Sequence, residues 1–139
     1  MAASPKAPSI DYPVAFVDSS AIVTLIDRDD ASHAAAVEAY ASLVSAGYRL
    51  FTTNHVLDEA FELLSAGVGV IVARQWLQEH RLPIYYVDET DLTAAIEMIA
   101  KRDPNASITL TDAVSMVVME RLGVTDAFAV DPAFLSELS

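Results

Sequence analysis

The stretch that decides the fold is Val14-Ala15-Phe16-Val17-Asp18-Ser19-Ser20, in which four apolar residues are followed by one acid and two hydroxyl residues. A continuous apolar run is typical of a parallel strand whose two faces are both covered. Ligands of an open α/β sheet bind beyond the carboxyl ends of its strands, which is where Asp18 is expected to lie. Asp18 or Ser19 is also well placed to cap the following helix, so this stretch alone leaves a ligand site and a helix cap open.

Short runs rich in β-branched and aromatic residues alternate with longer segments of helical spacing along the rest of the chain. The runs predicted as strands are residues 14–18, 49–53, 83–88 and 127–131. The segments predicted as helices are residues 20–27, 31–46, 54–65, 70–80, 89–101 and 109–122. Such alternation is typical of βαβ units. The sequence therefore predicts a single α/β domain over residues 13–139, with a parallel sheet of about four strands and helices on both faces.

Composition narrows the classes of function. The chain has 139 residues with 8 Lys and Arg against 20 Asp and Glu, a net charge of -12 that argues against broad electrostatic attraction to nucleic acid. This balance favours a basic partner, a bound cation or simple solubility. Without Cys there is no thiolate metal site. Residues 1–12 are predicted to form a loose arm, and since they lack the apolar region of a secretory signal, a cytoplasmic protein is expected.

Acids collect at the predicted strand ends and helix starts. Asp88 and Asp131 end predicted strands as Asp18 does, and parallel strands bring their carboxyl ends to one edge of the sheet. On the helix over 54–65, a 100° advance per residue puts Glu59 at the margin of the apolar face, while Asp58 and Glu62 face water. A partly buried Glu needs a partner, and the alternative is that Glu59 extends from this margin into solvent.

Asp112 lies near the start of the last long predicted helix. The segment 109–122 is apolar nearly all round, which predicts a central, buried helix. Thr109 and Asp112 fit a capping box, which is the alternative explanation for the acid. A cap does not require the acid to stand at the head of a buried stripe, so we keep Asp112 as a candidate site residue.

Asp126 and Asp131 compete for the place of fourth acid because they flank the last predicted strand. Five residues of extended chain separate them by roughly 16 Å, too far to share one ion. In a parallel sheet Asp131 lies at the edge of Asp18, and Asp126 lies at the opposite edge. The sequence therefore favours Asp131, with the alternative that it only caps the turn at Pro132.

A cluster of Asp18, Glu59, Asp112 and Asp131 would be repulsive unless a cation joined it. Mg²⁺ and Mn²⁺ prefer oxygen ligands, and such an ion activates water and stabilises a phosphoryl transition state. The cluster therefore predicts metal-assisted hydrolysis of a phosphodiester.

Four ordered motifs resemble a PIN-domain ribonuclease of the VapC toxin type. They are Val-Asp-Ser-Ser-Ala (17–21), Thr-Thr-Asn-His-Val-Leu-Asp-Glu (52–59), Leu-Thr-Asp-Ala-Val-Ser-Met-Val-Val-Met-Glu-Arg-Leu-Gly (110–123) and Ala-Phe-Ala-Val-Asp-Pro-Ala-Phe (127–134). The resemblance implies a Mg²⁺- or Mn²⁺-dependent endoribonuclease, with Asp18, Glu59, Asp112 and Asp131 as its catalytic and metal-binding acids and Ser20 as a supporting hydroxyl. It also implies an RNA substrate, a homodimer and a cognate antitoxin that blocks the cleft.

Two other functions stay open on the sequence. A non-catalytic PIN-like interaction module is favoured by the acidity and by Ala129, which stands where such ribonucleases usually carry Thr or Ser. A phospho-acceptor receiver domain is disfavoured because it needs a Lys after a late strand, and the chain has only Lys6 and Lys101. If RNA is the substrate, the candidate phosphate contacts are Arg28, Arg74, Arg81 and Arg121.

Overall fold

The computed structural model describes residues 12–138, so most of the predicted N-terminal arm lies outside the described residues. The strands are β1 (Val14–Val17), β2 (Arg49–Thr53), β3 (Ile84–Tyr85) and β4 (Asp126–Phe128). The helices are α1 (Ser19–Ile26), α2 (His33–Ser45), α3 (Asn54–Gly67), α4 (Val70–Glu79), α5 (Glu89–Ala100), α6 (Leu110–Leu122) and α7 (Pro132–Glu137). None of the helices between residues 12 and 138 is long and apolar enough to cross a membrane.

All four strands are parallel and lie in the order β3-β2-β1-β4. The chain passes from β1 outward through β2 to β3 and then returns to place β4 on the other side of β1. The order therefore reverses between β1 and β4, and a crevice opens at such a switch point beyond the carboxyl ends of the strands. This topology confirms the predicted single α/β domain and puts Asp18 beside the crevice.

Two hydrophobic clusters hold the helices to the sheet. The larger one joins β1 to α1, α3 and α7, with Phe16, Val56, Leu64 and Phe134 fully buried. The smaller one joins α5 to α6. Phe51 on β2 contacts both clusters, so the sheet is covered by helices on both faces, as predicted.

Helix ends follow signals that are readable in the sequence. Gly123 terminates α6 with a φ of 69°, a left-handed conformation in which a side chain would be strained. The helix that begins at Pro132 was not predicted, although Asp131 caps it and a Pro at its first position is favourable. Its anchor is the burial of Phe134 against Phe16, a contact between residues far apart in the chain.

Three local predictions are wrong in extent. The third strand ends at Tyr85 rather than at residue 88. The backbone N–H of Val87 donates to Asn54 Oδ1 at 2.9 Å and is therefore not available to pair with a neighbouring strand. The last strand ends at Phe128 rather than 131. Leu63, which the 100° spacing puts within the apolar face of α3, is 47% exposed because the packed face is narrower than the apolar one.

Candidate active site

Asp18 occupies the first position after β1 and caps α1. Its carboxylate Oδ2 accepts the Ser20 hydroxyl at 2.7 Å and the Ser20 backbone N–H at 3.2 Å, so the helix-cap alternative is confirmed. The side chain is only 2% exposed, and its other oxygen, Oδ1, is buried with no hydrogen-bond partner among residues 12–138. A buried carboxylate oxygen without a partner is costly, so a cap does not account for the whole side chain.

Ser20 joins the two sides of the crevice. Besides donating to Asp18, its hydroxyl oxygen accepts the backbone N–H groups of Val130 at 2.9 Å and Asp131 at 3.1 Å. One hydroxyl therefore ties the end of β1 to the segment that follows β4. The structure accordingly places Asp131 on the same side of the sheet as Asp18, where it caps α7 by accepting the Ala133 N–H at 3.0 Å.

Glu59 reaches the crevice from the second turn of α3. It is half-buried, whereas Asp58 and Glu62 are exposed, as the helical spacing predicts. One of its oxygens, Oε1, accepts a short hydrogen bond from the hydroxyl of Ser19, which is 3% exposed. Ser19 is the residue of this site that sequence reasoning missed, since it was considered only as a helix cap. The available signal was a second hydroxyl directly after Asp18.

Asp112 lies in the first turn of α6 and begins its buried part, which comprises six of the 13 residues, whereas the last turn is exposed. Its backbone N–H donates to Thr109 Oγ1 at 3.0 Å, and its Oδ2 accepts the Thr109 N–H at 3.3 Å, which is the predicted capping box. The side chain is 5% exposed. The positive end of the helix dipole favours a carboxylate at this buried position.

The electrostatics show which acids lie near one another. Burial raises the pKa of Asp18, the charge of Glu59 raises it further, and hydrogen bonds from Ser20 oppose the rise. Burial also raises the pKa of Asp112, and the charges of Asp18 and Asp131 add to the increase. Asp18 thus lies close enough to feel the charge of Glu59, and Asp112 close enough to feel those of Asp18 and Asp131, as carboxylates around one crevice do.

The carboxylates around the crevice offer oxygen donors to a divalent cation. As the side chains stand, no group of three or more His, Asp or Glu within residues 12–138 is drawn together tightly enough to hold a metal ion. The unpartnered Oδ1 of Asp18 is a buried, hard oxygen donor, and such donors suit Mg²⁺ or Mn²⁺.

Helix capping engages only one carboxylate oxygen of each acid. Asp18 and Asp112 use Oδ2, and Asp131 uses Oδ1. The capping and ligand alternatives are therefore compatible, because the cap fixes each side chain through one oxygen and leaves the other for a further contact. These remaining oxygens are hard donors, the type that Mg²⁺ and Mn²⁺ prefer.

Asp126 and Asp88, which flank predicted strands, lie away from the crevice. Asp126 begins β4 and is paired with Ala15, which lies three residues before Asp18 on the neighbouring strand. Its carboxylate accepts a hydrogen bond from the hydroxyl of Tyr48 at 3.0 Å. Asp88 caps α5 and pairs with Arg121. Strand direction thus separates Asp126 from Asp131 as predicted, while Asp88 belongs to an ion-pair cluster.

Arg121 is a poor candidate for a phosphate contact. Its guanidinium pairs with Asp88 and with Asp91, which is only 1% exposed. These partners hold the pKa of Arg121 above its usual value, and a cation that balances a buried carboxylate is not free for RNA. The sequence pattern gave no sign of this pairing, since about 30 residues separate Arg121 from its partners.

Comparison with known proteins agrees with this geometry. A family model described as the PIN domain matches residues 15–136. The chain belongs to the PIN-domain family. Among solved structures, that of Mycobacterium tuberculosis VapC20, a sarcin–ricin loop cleaving toxin, superposes with a TM-score of 0.78. The two are 27% identical over 89% of this chain and 94% of VapC20. The resemblance drawn from the four motifs is thereby confirmed. No curated protein sequence matches the chain significantly.

Proposed function

We propose that this PIN-domain protein is a Mg²⁺- or Mn²⁺-dependent endoribonuclease that acts as the toxin of a toxin–antitoxin pair. The observation that carries the proposal is the unpartnered, buried Oδ1 of Asp18 at the topological switch point. Family membership and the likeness to VapC20 support the same activity.

Asp18, Glu59, Asp112 and Asp131 are the proposed ligands and catalytic acids. When bound, a divalent cation there would activate a water molecule and stabilise the charge that develops on a phosphodiester. The protein's own contribution is to hold the acids in place before substrate arrives. The helix caps fix Asp18, Asp112 and Asp131, and restraint by such outer contacts is what orients ligands in metal sites.

The serines have separate supporting roles in this proposal. Ser20 orients Asp18 and holds the backbone of Asp131 at the same time. Ser19 fixes one oxygen of Glu59 and leaves the other for the crevice. Two adjacent hydroxyls thereby set two acids that come from different elements.

The proposed substrate is unpaired RNA in a loop, because single-stranded bases are what proteins read in sequence-specific RNA recognition. VapC20 is described as cleaving the sarcin–ricin loop. That stem-loop is accordingly the first RNA to test, and cuts at a few accessible loops are expected rather than uniform degradation.

The proposed partner is a cognate antitoxin with a basic segment, and the active form is proposed to be a homodimer in the cytoplasm. An acid-lined crevice on a chain of net charge -12 favours an Arg side chain, which pairs with carboxylates through two parallel hydrogen bonds. Such an Arg would take the place of the cation's charge. Co-purification with a small basic protein that abolishes metal binding is the expected result, and a complex that leaves metal binding and cleavage intact would contradict it.

The competing function is a non-catalytic PIN-like interaction module. Two observations favour it: the strong net negative charge and Ala129 in place of a hydroxyl. A stem-loop RNA incubated with the protein distinguishes the two. Cleavage that needs Mg²⁺ or Mn²⁺ and stops in EDTA is expected for the nuclease, and intact RNA at all metal concentrations would favour the module.

A further inference from the structure

Positive charge is scarce on this chain, and several described cations are already engaged. Arg121 balances the buried Asp91. Arg102 pairs with Glu137. The guanidinium of Arg49 lies 4.7 Å from the centre of a tyrosine ring. With a net charge of -12 and three of its eight Lys and Arg residues engaged in this way, the chain has few cations for phosphate contacts, so contacts that need no charge gain in importance. Stacking of bases on aromatic rings is the main uncharged contact available to single-stranded RNA.

Tyr86 is the most exposed aromatic residue of the described chain. Its side chain is 74% exposed, against 44% for Tyr40 and 43% for Tyr12. The adjacent Tyr85 behaves differently, because its ring packs on the cluster between α5 and α6 and its hydroxyl donates to Asp91 at 2.8 Å. Within residues 12–138 no hydrogen bond or ring contact engages Tyr86, so its face is open to a ligand.

The backbone that carries Tyr86 is fixed on both sides. Tyr85 is paired with Thr53 in the sheet. On the other side, the N–H of Val87 donates to Asn54 Oδ1 at 2.9 Å. A large apolar ring is thus presented to water from a rigid segment, an arrangement that loses little conformational entropy when a flat ligand binds.

The sheet register puts Tyr86 at the edge that carries the acids. Phe16 is paired with Phe51, and Thr53 with Tyr85, so Asp18 and Tyr85 stand at the same level. Tyr86 lies one residue farther along. Two strand spacings, about 10 Å, separate the lines of β1 and β3. About 10 Å is therefore the sideways distance that a neighbouring nucleotide would have to span from a phosphodiester held at Asp18.

We propose that Tyr86 is a stacking platform for one unpaired nucleobase of the RNA, near but not at the bond that is cut. This inference rests on the proposed ribonuclease activity. Stacking on Tyr86 would select an exposed base in a loop over a paired one, since a base within a duplex has no free face. It would also provide affinity that salt does not screen.

The test compares Tyr86→Ala with Tyr86→Phe, which keeps the ring, and with Tyr40→Ala as a matched exposed tyrosine on α2. Binding of a cleaved stem-loop is measured in Ca²⁺ or EDTA, and KM and kcat are measured in Mg²⁺. Tyr86→Ala is expected to weaken binding and raise KM about 5- to 100-fold at little change in kcat, the loss typical of one stacked base. The loss should be the same at low and high salt, and Tyr86→Phe and Tyr40→Ala should bind as wild type does.

Abasic RNAs identify the base. One abasic position should weaken binding to wild type by the same factor and have no further effect on Tyr86→Ala, because both changes remove the same contact.

Equal binding by wild type and Tyr86→Ala would overturn the platform, as would losses that add at every abasic position. A change in oligomeric state in Tyr86→Ala would instead assign the ring to a protein interface. If wild type binds the RNA but never cuts it, the proposed nuclease activity is contradicted, and the comparison of binding by wild type and Tyr86→Ala still decides on the platform. If wild type neither binds nor cuts the RNA, both proposals are overturned.

Discussion

Replacing Ser20 with Ala tests the connection between the two sides of the crevice. The Ser20 hydroxyl makes three hydrogen bonds, one donated to Asp18 and two accepted from the backbone N–H groups of Val130 and Asp131. The variant leaves both N–H groups without that acceptor and leaves Asp18 Oδ2 with only the Ser20 backbone N–H.

The magnitude follows from these three contacts. Each hydrogen bond contributes about 0.5–1.5 kcal/mol net, and a buried group left without a partner costs more. The N–H groups of Val130 and Asp131 are half-buried, so water recovers part of the loss. Ala is the better helix former by about 0.5 kcal/mol. The expected decrease in the free energy of unfolding is therefore about 2–3 kcal/mol.

Urea denaturation in EDTA measures this loss. With an m-value of about 1.5 kcal/mol/M, the midpoint should fall by about 1.3–2 M. Ser65→Ala is the matched control, since Ser65 is also half-buried in a helix but makes only one hydrogen bond, to the Phe61 carbonyl at 2.8 Å. RNA cleavage by Ser20→Ala should fall about 10- to 100-fold. Equal midpoints for the two variants would refute the argument that Ser20 joins the crevice.

Three further predictions concern the acids. Asp131→Asn should abolish metal-dependent cleavage and Asp126→Asn should not, because only Asp131 lies on the side of Asp18; the opposite result would overturn the assignment of the fourth acid. Mg²⁺ or Mn²⁺ should raise the melting temperature of wild type but not of Asp18→Asn/Asp112→Asn, because an ion that binds only the native state stabilises it. An equal rise in the melting temperature of both proteins would place the ion elsewhere. In EDTA, the raised pKa values of Asp18 and Asp112 mean that the native state holds protons more tightly than the unfolded state. The free energy of unfolding of wild type relative to the double variant should therefore fall as the pH rises from about 4 through those pKa values. A relative rise in that window would contradict the burial of these carboxyls.

The sequence was informative where local rules decide the structure. An apolar run that ends in an acid predicted both β1 and the placement of Asp18, because a buried strand and its end are properties of adjacent residues. The spacing on α3 separated Glu59 from Asp58 and Glu62 for the same reason. Strand direction then followed from the βαβ alternation, and it separated Asp126 from Asp131.

The sequence was uninformative where distant elements meet. Ser19 contacts Glu59 across 40 positions, and no local pattern indicates how α1 and α3 are packed. Arg121 was a candidate for RNA until its pairing with the buried Asp91 was seen. The helix at Pro132 was missed because the burial of Phe134 against β1, rather than helix propensity over six residues, accounts for it.

In the proposed activity, acids around the end of β1 promote the cleavage of RNA with the help of a divalent cation. Glu59→Gln and Glu62→Gln test it most directly, because the two residues lie three positions apart on α3 and only Glu59 faces the crevice. Initial rates of stem-loop cleavage are measured in Mg²⁺ for wild type and both variants, with EDTA as the metal-free reference. A loss of more than about 100-fold is expected for Glu59→Gln, against wild-type rates for Glu62→Gln. Equal rates in the two variants, or cleavage that persists in EDTA, would contradict the claim.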